Sequence, residues 1–199
     1  MSIAVKKEVR KFYDMLSDDY DELYGEEQRV KHLAILEECN LNGIIGDMGC
    51  GTCLLVEQLF KPKYSVRWYI GLDISKGMIR IARERVNKVA NADLIVGDIE
   101  NLPFRENSVD FVLAVTSLQN VPSIRIAVSE LGRVTRRGLI VSLLKVARNS
   151  KEAIKELMET FSLRKIIMME KDIALLFYKP STEWMSIPIS RTPKRPFWT

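Results

Sequence analysis

Residues 46 to 53 read Gly46-Asp47-Met48-Gly49-Cys50-Gly51-Thr52-Cys53 and follow directly on the apolar pair Ile44 and Ile45. A short buried strand that ends in a glycine turn and opens a helix can bring a ligand onto bare main chain. Gly49 and Gly51 permit the sharp turn and the close approach. Two carboxylates lie downstream where a nucleoside would need them. Asp73 ends the run Trp68-Tyr69-Ile70-Gly71-Leu72-Asp73. At the tip of a second strand it could accept from both ribose hydroxyls. Asp98 follows Leu94-Ile95-Val96-Gly97. At the tip of a third strand it could accept from an adenine amine, with Ile99 beside the ring. Each turn alone reads equally as an ordinary helix start, because aspartate favours N-caps. The same order of events repeated three times favours a nucleoside site at the carboxyl ends of an open α/β sheet.

The elements that would position these residues alternate along the chain. Apolar runs and punctuation predict strands near 44–48, 66–72, 93–97, 110–116 and 138–144, and helices near 52–60, 75–89 and 150–161. Pro122 suits the first turn of a further helix reaching about Val134. Two last strands, near 163–169 and 172–178, are separated only by Glu170 and Lys171 and so form a hairpin. Before the first strand, Ile3, Val5, Val9, Phe12 and Leu16, then Val30, Leu33, Ile35 and Leu36, suggest two amphipathic helices. The expected organisation is one domain over residues 1–199: a helical cap to residue 40, an α/β core over 41–180, and an extended tail over 181–199. The tail carries Pro188, Pro193 and Pro196, which oppose helix.

Composition narrows the function classes. The 199 residues suffice for a substantial core. Three cysteines do not make a secreted disulfide framework, no apolar run approaches the ~18 residues of a membrane span, and the first ten residues lack a signal-peptide core. A cytoplasmic protein is expected. Only three glutamines stand among abundant isoleucine, lysine, arginine and glutamate, which leans toward a thermophilic source. Charge is lopsided. Asp14 to Glu38 holds nine acidic and two basic residues, whereas Leu131 to Lys151 holds six basic and no acidic ones. Arg133, Arg136 and Arg137 belong at the strand-start edge of the sheet. Lys145, Arg148 and Lys151 belong at the opposite edge, with the nucleoside site. The tail adds Arg191, Lys194 and Arg195 among Trp184, Phe197 and Trp198. Cations interleaved with aromatics suit RNA, whose phosphates need charge and whose unstacked bases need flat partners. An ordinary solvated surface is the alternative.

The segments Asp47-Met48-Gly49-Cys50-Gly51-Thr52, Asp73-Ile74-Ser75-Lys76-Gly77-Met78 and Gly97-Asp98-Ile99-Glu100-Asn101-Leu102-Pro103-Phe104, with Val109 to Pro122, resemble the class I S-adenosylmethionine-dependent methyltransferases, most of all their small type-11 subgroup. The resemblance covers roughly residues 40–180. It implies a Rossmann-like α/β fold: a seven-stranded, mostly parallel sheet with a C-terminal antiparallel hairpin and helices on both faces. It implies S-adenosylmethionine as cofactor, held by Asp47, Gly49, Gly51, Asp73, Ile74, Met78, Asp98, Ile99 and Thr116. In similar proteins the entry segment folds over the cofactor, and a tyrosine caps its methionine end; Tyr20 is the first candidate and Tyr13 the second. Surface aromatics on an acidic face are the other reading of that segment.

The resemblance places Thr116, Ser117, Leu118, Gln119 and Asn120 beyond the fourth strand, facing the methyl group. No general base stands out, and the chemistry does not demand one: the sulfonium is already electrophilic, so positioning and desolvation can supply most of the acceleration. Thr116, Gln119 and Asn120 are the catalytic candidates, the two amides as acceptors from an exocyclic amine. The whole chain is also similar to small archaeal enzymes that methylate a cytidine amine in small-subunit ribosomal RNA. RNA is therefore the expected partner, with a small metabolite, or cofactor binding without catalysis, as alternatives. One departure stands out. The family usually has glycine where this chain has Cys53, which creates Cys50-Gly51-Thr52-Cys53. Small packing side chains are expected there. A reversible disulfide is the alternative, and no metal site is expected, because Cys39 and His32 lack ligand spacing.

Overall fold

The computed structural model describes residues 2–179; the tail segment 181–199, with its expected RNA contacts, lies outside the described residues. Two helices come first, α1 (Ser2–Leu16) and α2 (Tyr20–Glu37). They are followed by β1 (Asn42–Met48), α3 (Val56–Leu59), β2 (Ser65–Asp73), α4 (Lys76–Val86), β3 (Ala92–Val96), β4 (Val109–Val115), α5 (Ile124–Val134), β5 (Thr135–Leu144), α6 (Ser150–Thr160), β6 (Ser162–Met168) and β7 (Asp172–Tyr178). The seven strands form one sheet in the order β3-β2-β1-β4-β5-β7-β6. β7 runs antiparallel to both neighbours, β5 and β6, and the remaining pairings are parallel. The order reverses at β1 and β4, so the crevice opens at their carboxyl ends, beside Met48 and Val115.

The central strands are buried on both faces, which explains their unbroken apolar runs. Alternate residues serve opposite layers. Val112, Ala114, Leu139, Val141, Leu175 and Phe177 meet α5 and α6. Phe111, Leu113, Ile140, Ala174 and Leu176 belong with Ile35 and Leu36 of α2 and Ile79, Ala82 and Val86 of α4. In α5 the buried positions Ile124, Ala127, Val128, Leu131 and Val134 recur every three or four residues, a stripe that fits one sheet face. Each such large side chain removed from water contributes about 1.5–3 kcal/mol.

Three local features differ from the sequence expectations. The helix after the glycine turn is only Val56–Leu59, because Cys53 adopts φ +60° and interrupts any helix begun at Thr52. Pro122 stands before the α5 cap; Ser123 takes the cap position, its hydroxyl accepting from the Ile126 N–H at 3.4 Å. β5 begins at Thr135, directly after α5, so Arg136 and Arg137 lie on the strand itself. Arg136 pairs with buried Asp110. Arg137 donates to Asn42 and lies 4.9 Å over the Phe111 ring.

The acidic entry segment is a fastening. Asp14 accepts from the Ser75 hydroxyl at 2.7 Å and from the Gly77 N–H at 2.9 Å, at the start of α4. Asp18 pairs with Arg80. Asp21 pairs with Arg85 and accepts from the Thr52 hydroxyl. Against burial, the Gly77 amide, the Ser75 hydroxyl and Arg10 hold the Asp14 carboxyl below the usual carboxylate range. These ties hold α1 and α2 across the carboxyl edge of the sheet, where the nucleoside residues sit.

Candidate active site

At the first strand tip the chain turns through Gly49 (φ +84°) and Gly51 (φ +54°). A Cβ on Gly49 would stand 2.5 Å from the Ser117 Cβ, whereas one on Gly51 would meet nothing within 4 Å. Gly49 thus packs against the fourth strand's exit, and Gly51 leaves open backbone. The amides of Gly49 and Cys50 both donate to the Leu72 carbonyl, at 2.7 and 3.0 Å. Asp73 ties the second tip to the first, accepting from the Gly51 N–H and the Ser75 N–H at 2.9 Å each. Burial raises its carboxyl, against those amide hydrogen bonds. At the third tip, Asp98 accepts from its own loop at Glu100 N, 2.9 Å away, and from Lys6 of α1 at 2.6 Å. Lys6 pairs with Glu100 as well.

These groups surround one cavity of about 90 Å³. Gly49, Gly51, Asp73, Ile74, Met78, Asp98, Ile99, Thr116 and Tyr20 all line it, and so do Tyr13, Lys6, Val9 and Asn120. Two strand-tip carboxylates, the open backbone at Gly51 and the apolar Ile74, Met78 and Ile99 suit a ribose, a main-chain contact and an adenine ring. Lys6 stands at the third strand tip, where it holds one Asp98 oxygen while the Glu100 amide holds the other. Asp47 does not line the cavity: its carboxylate is buried and accepts from the Tyr69 hydroxyl at 2.8 Å.

A second cavity of about 620 Å³ adjoins the first and shares Tyr13, Tyr20, Thr116 and Asn120 with it. Its walls include Phe12, Tyr24, Gln119, Arg148 and Asn149. Phe12 and Tyr13 meet edge to face at 5.2 Å, and Tyr20 and Tyr24 lie 5.3 Å apart. Much of the apolar stripe of α1 therefore lines ligand space: Val9 faces the first cavity, Phe12 and Leu16 the second. Asn120 donates to the Tyr13 hydroxyl at 3.0 Å. The Gln119 Oε1 atom is buried without a hydrogen-bond partner. Burial raises the Tyr13 and Tyr20 phenols, which stay protonated at neutral pH. Thr116, at the junction, has φ +54°. For a β-branched residue that conformation is a genuine outlier, costing on the order of 1–2 kcal/mol.

Of the basic residues read as RNA contacts, Lys145 is already engaged, donating to the Met169 and Glu170 carbonyls. Its ammonium closes the β6–β7 turn. Arg148 lines the second cavity, and Lys151 is exposed in the first turn of α6. Sequence reasoning missed Phe12, Tyr24, Lys6 and Lys31. Lys31 and His32 stand four residues before the buried Ile35 and Leu36, a spacing that puts both on the inward face of α2.

The two cysteines of the glycine turn are buried and reduced. A Cβ on Gly71 would stand 3.0 Å from the Cys53 sulfur and 3.1 Å from that of Cys50, so both thiols pack on the backbone of β2. Burial pushes the Cys50 thiol well up, and a protonated, enclosed thiol is a poor nucleophile. The left-handed φ of Cys53 supplies the reason for glycine there in the family. A Cys50→Ala, Cys53→Gly double variant is expected to fold, to melt within a few degrees of the parent and to bind S-adenosylhomocysteine as tightly. Lost methyl transfer with intact binding would instead assign the pair a chemical role. Among the described residues, no group of three His, Cys, Asp or Glu side chains is placed to hold a metal, and no helix is long and apolar enough to cross a membrane.

Comparison with known proteins agrees with this geometry. A family model described as a methyltransferase domain matches residues 46–143. The demethylmenaquinone methyltransferase of Staphylococcus haemolyticus is 27% identical over 166 residues, covering 79% of this chain and 69% of that protein. Among solved structures, the magnesium protoporphyrin IX methyltransferase of Synechocystis, with S-adenosylmethionine bound, superposes with a TM-score of 0.70 at 18% identity, covering 88% of this chain and 97% of that one. The putative methyltransferase of Haloferax volcanii, in complex with the Trm112 methyltransferase activator, superposes with a TM-score of 0.72 at 14% identity, covering 85% and 98%. Residues 46–143 thus form a methyltransferase domain, the fold is that of the class I enzymes, and the protein is an S-adenosylmethionine-dependent methyltransferase.

Proposed function

We propose that the protein methylates an exocyclic amine on a flat aromatic ring held in the tyrosine-walled cavity. The observation that carries the reading is the aromatic wall of that cavity, formed by Phe12, Tyr13, Tyr20 and Tyr24, with the Gln119 side chain beside it. The Gln119 Oε1 atom is buried and unpartnered, so a rotation of the amide that turned it to an acceptor N–H or O–H would remove a cost of about 1–3 kcal/mol. The aromatic rings of α1 and α2 offer faces and edges to a planar acceptor. S-adenosylmethionine, when bound, supplies an electrophilic methyl group. Asp73, Gly51 and Asp98 would hold its nucleoside, with Ile74, Met78 and Ile99 against the base. Gln119 would orient the acceptor amine so that its lone pair faces the cofactor cavity, while Tyr13, Tyr20 and the cap helices exclude water. Gln119→Leu is expected to lower methyl transfer roughly tenfold, the worth of one such hydrogen bond, and to leave S-adenosylhomocysteine affinity unchanged. An unaltered rate would remove Gln119 from acceptor recognition.

Two sources of such a ring are distinguishable. An RNA base, cytidine in the small ribosomal subunit being the leading candidate, is favoured by Arg148 and Lys151. Neither has a charge or hydrogen-bond partner among the described residues; Arg148 lines the cavity, and Lys151 is exposed three residues further along the chain. A small metabolite is favoured by the relative named for demethylmenaquinone and the structural neighbour named for magnesium protoporphyrin IX. Labelled S-adenosylmethionine incubated with ribosomal subunits, total RNA and a metabolite extract separates them. For RNA, Arg148→Ala with Lys151→Ala should weaken binding and flatten its salt dependence by about one unit of slope for each phosphate no longer neutralised. Deleting residues 181–199 should do the same if the tail grips RNA. Labelling of the metabolite extract alone, indifferent to salt, overturns the RNA reading.

A further inference from the structure

Lys31 is an unusual residue for the inner face of a cap helix. It is 3% exposed, and its ammonium lies 3.0 Å from the Asp172 carboxylate, itself 3% exposed, at the start of β7. Glu27, one turn back, is 3.8 Å away. The third partner is the Thr116 hydroxyl, to which Lys31 donates at 2.8 Å. Thr116 is held on its other sides as well. Its hydroxyl lies 3.3 Å from the second Asp172 oxygen and 3.2 Å from the Ser142 hydroxyl. Its amide donates to the Ser142 carbonyl at 3.0 Å and is 3.1 Å from the Ser142 hydroxyl oxygen. Thr116 is also the junction residue with the left-handed backbone.

A buried Lys–Asp pair is a poor device for stability. Its desolvation cost rivals its attraction, and apolar replacements of similar volume are often neutral or better. Its geometry offers something else. A strained conformation persists only where surrounding contacts over-determine it, and here the contacts converge on Thr116 from α2, β5 and β7. Lys31 takes one lone pair of the hydroxyl, and Asp172 or Ser142 takes its hydrogen. One lone pair is left on a residue that faces both cavities. The same ion pair joins α2, which carries Tyr20 and Tyr24 into those cavities, to the sheet.

We propose that Lys31 and Asp172 are positioning residues for methyl transfer: their ion pair holds Thr116 in its left-handed conformation at the junction of the cofactor and acceptor cavities, and sets the tyrosine-bearing cap in register with it. The inference rests on the reading of those two cavities as donor and acceptor sites. It does not depend on which acceptor is used.

Lys31→Met alone leaves Asp172 buried and uncompensated and is expected to be destabilised. The decisive variant is therefore Lys31→Met with Asp172→Leu, which is charge-balanced and apolar. It is expected to keep the parent's melting temperature within a few degrees. In its crystal structure with S-adenosylhomocysteine, Thr116 should relax to negative φ. The rate at saturating cofactor should fall about 100-fold, the scale of a 1 Å misplacement, while S-adenosylhomocysteine affinity changes far less. A folded double variant that keeps Thr116 left-handed, or transfers methyl groups at the parent rate, overturns the proposal. If the parent methylates no amine at all, the proposed acceptor class fails, and the Thr116 conformation in the variant still decides this one.

Discussion

Replacing Asp73 with alanine is expected to weaken S-adenosylhomocysteine binding by about 1.5–3 kcal/mol, roughly 10- to 150-fold, the worth of charge-assisted hydrogen bonds to a ribose. Asp73 has a second task that the experiment must separate. It accepts from the Gly51 and Ser75 amides, so alanine also frees the glycine turn. Asp73→Asn retains an acceptor for one of those amides and should recover part of the thermal stability but little of the affinity. Calorimetry against the melting temperature distinguishes the two roles: a loss of stability with unchanged affinity would make Asp73 a brace for the turn alone. Asp98→Ala should cost less. Lys6 already holds one Asp98 oxygen and the Glu100 amide the other, so an adenine amine must displace or share a donor in the wild type, and the variant is spared the exchange. Equal, undiminished affinity in both alanine variants would remove the basis for placing the nucleoside across these strand tips.

The three strand tips were legible because each is a local pattern: a short apolar run, then a glycine or aspartate, with a helix start after it. Nine of the ten residues assigned to the cofactor, some from that pattern and the others from the family resemblance, line one cavity. The hairpin of β6 and β7 was equally local, two apolar runs around a two-residue break. What the sequence concealed is non-local or conformational. The segment holding Asp14, Asp18 and Asp21 has two readings, a cover over the cofactor or a solvated acidic face, and neither names their partners Ser75, Arg80 and Arg85, which lie more than sixty residues away. Lys31 finds Thr116 across 85 residues of chain. No spacing rule pairs a lysine on a cap helix with a carboxylate at the head of the last strand. The basic stretch from Leu131 to Lys151 misled for a related reason. Charge counted along the chain ignores partners, and Arg133, Arg136 and Lys145 are engaged with Glu130, Asp110 and two carbonyls. Backbone sign was invisible too. Nothing in the letters marks Cys53 or Thr116 as left-handed, and only the glycine usual in the family hinted at the first.

Asp47 carries the other large expectation, and its sign is opposite to that of an ordinary salt-bridged carboxylate. It sits at the end of β1, with the Tyr69 hydroxyl as its hydrogen-bond donor, and burial pushes its carboxyl up to about 7. In the unfolded chain it ionises near 3.9. Between those values the folded protein holds the proton that the unfolded chain has lost. This group's contribution to stability therefore falls as pH rises from about 4 to about 7, by about 1.4 kcal/mol per unit and about 4 kcal/mol in all, and is flat above. Asparagine has the shape of the protonated acid, accepts from Tyr69 and never ionises. Asp47→Asn should thus match the parent near pH 4 and exceed it at pH 8 by up to about 4 kcal/mol, a rise in melting temperature on the order of 10 °C for a domain of this size. Denaturant or thermal unfolding at the two pH values measures it. Because Asp47 is absent from the lining of the cofactor cavity, S-adenosylhomocysteine affinity should be unchanged. A variant that gains no stability at pH 8 and loses cofactor would show that Asp47 ionises in the folded protein as readily as in the unfolded chain and is turned toward the ligand, as the family resemblance had suggested.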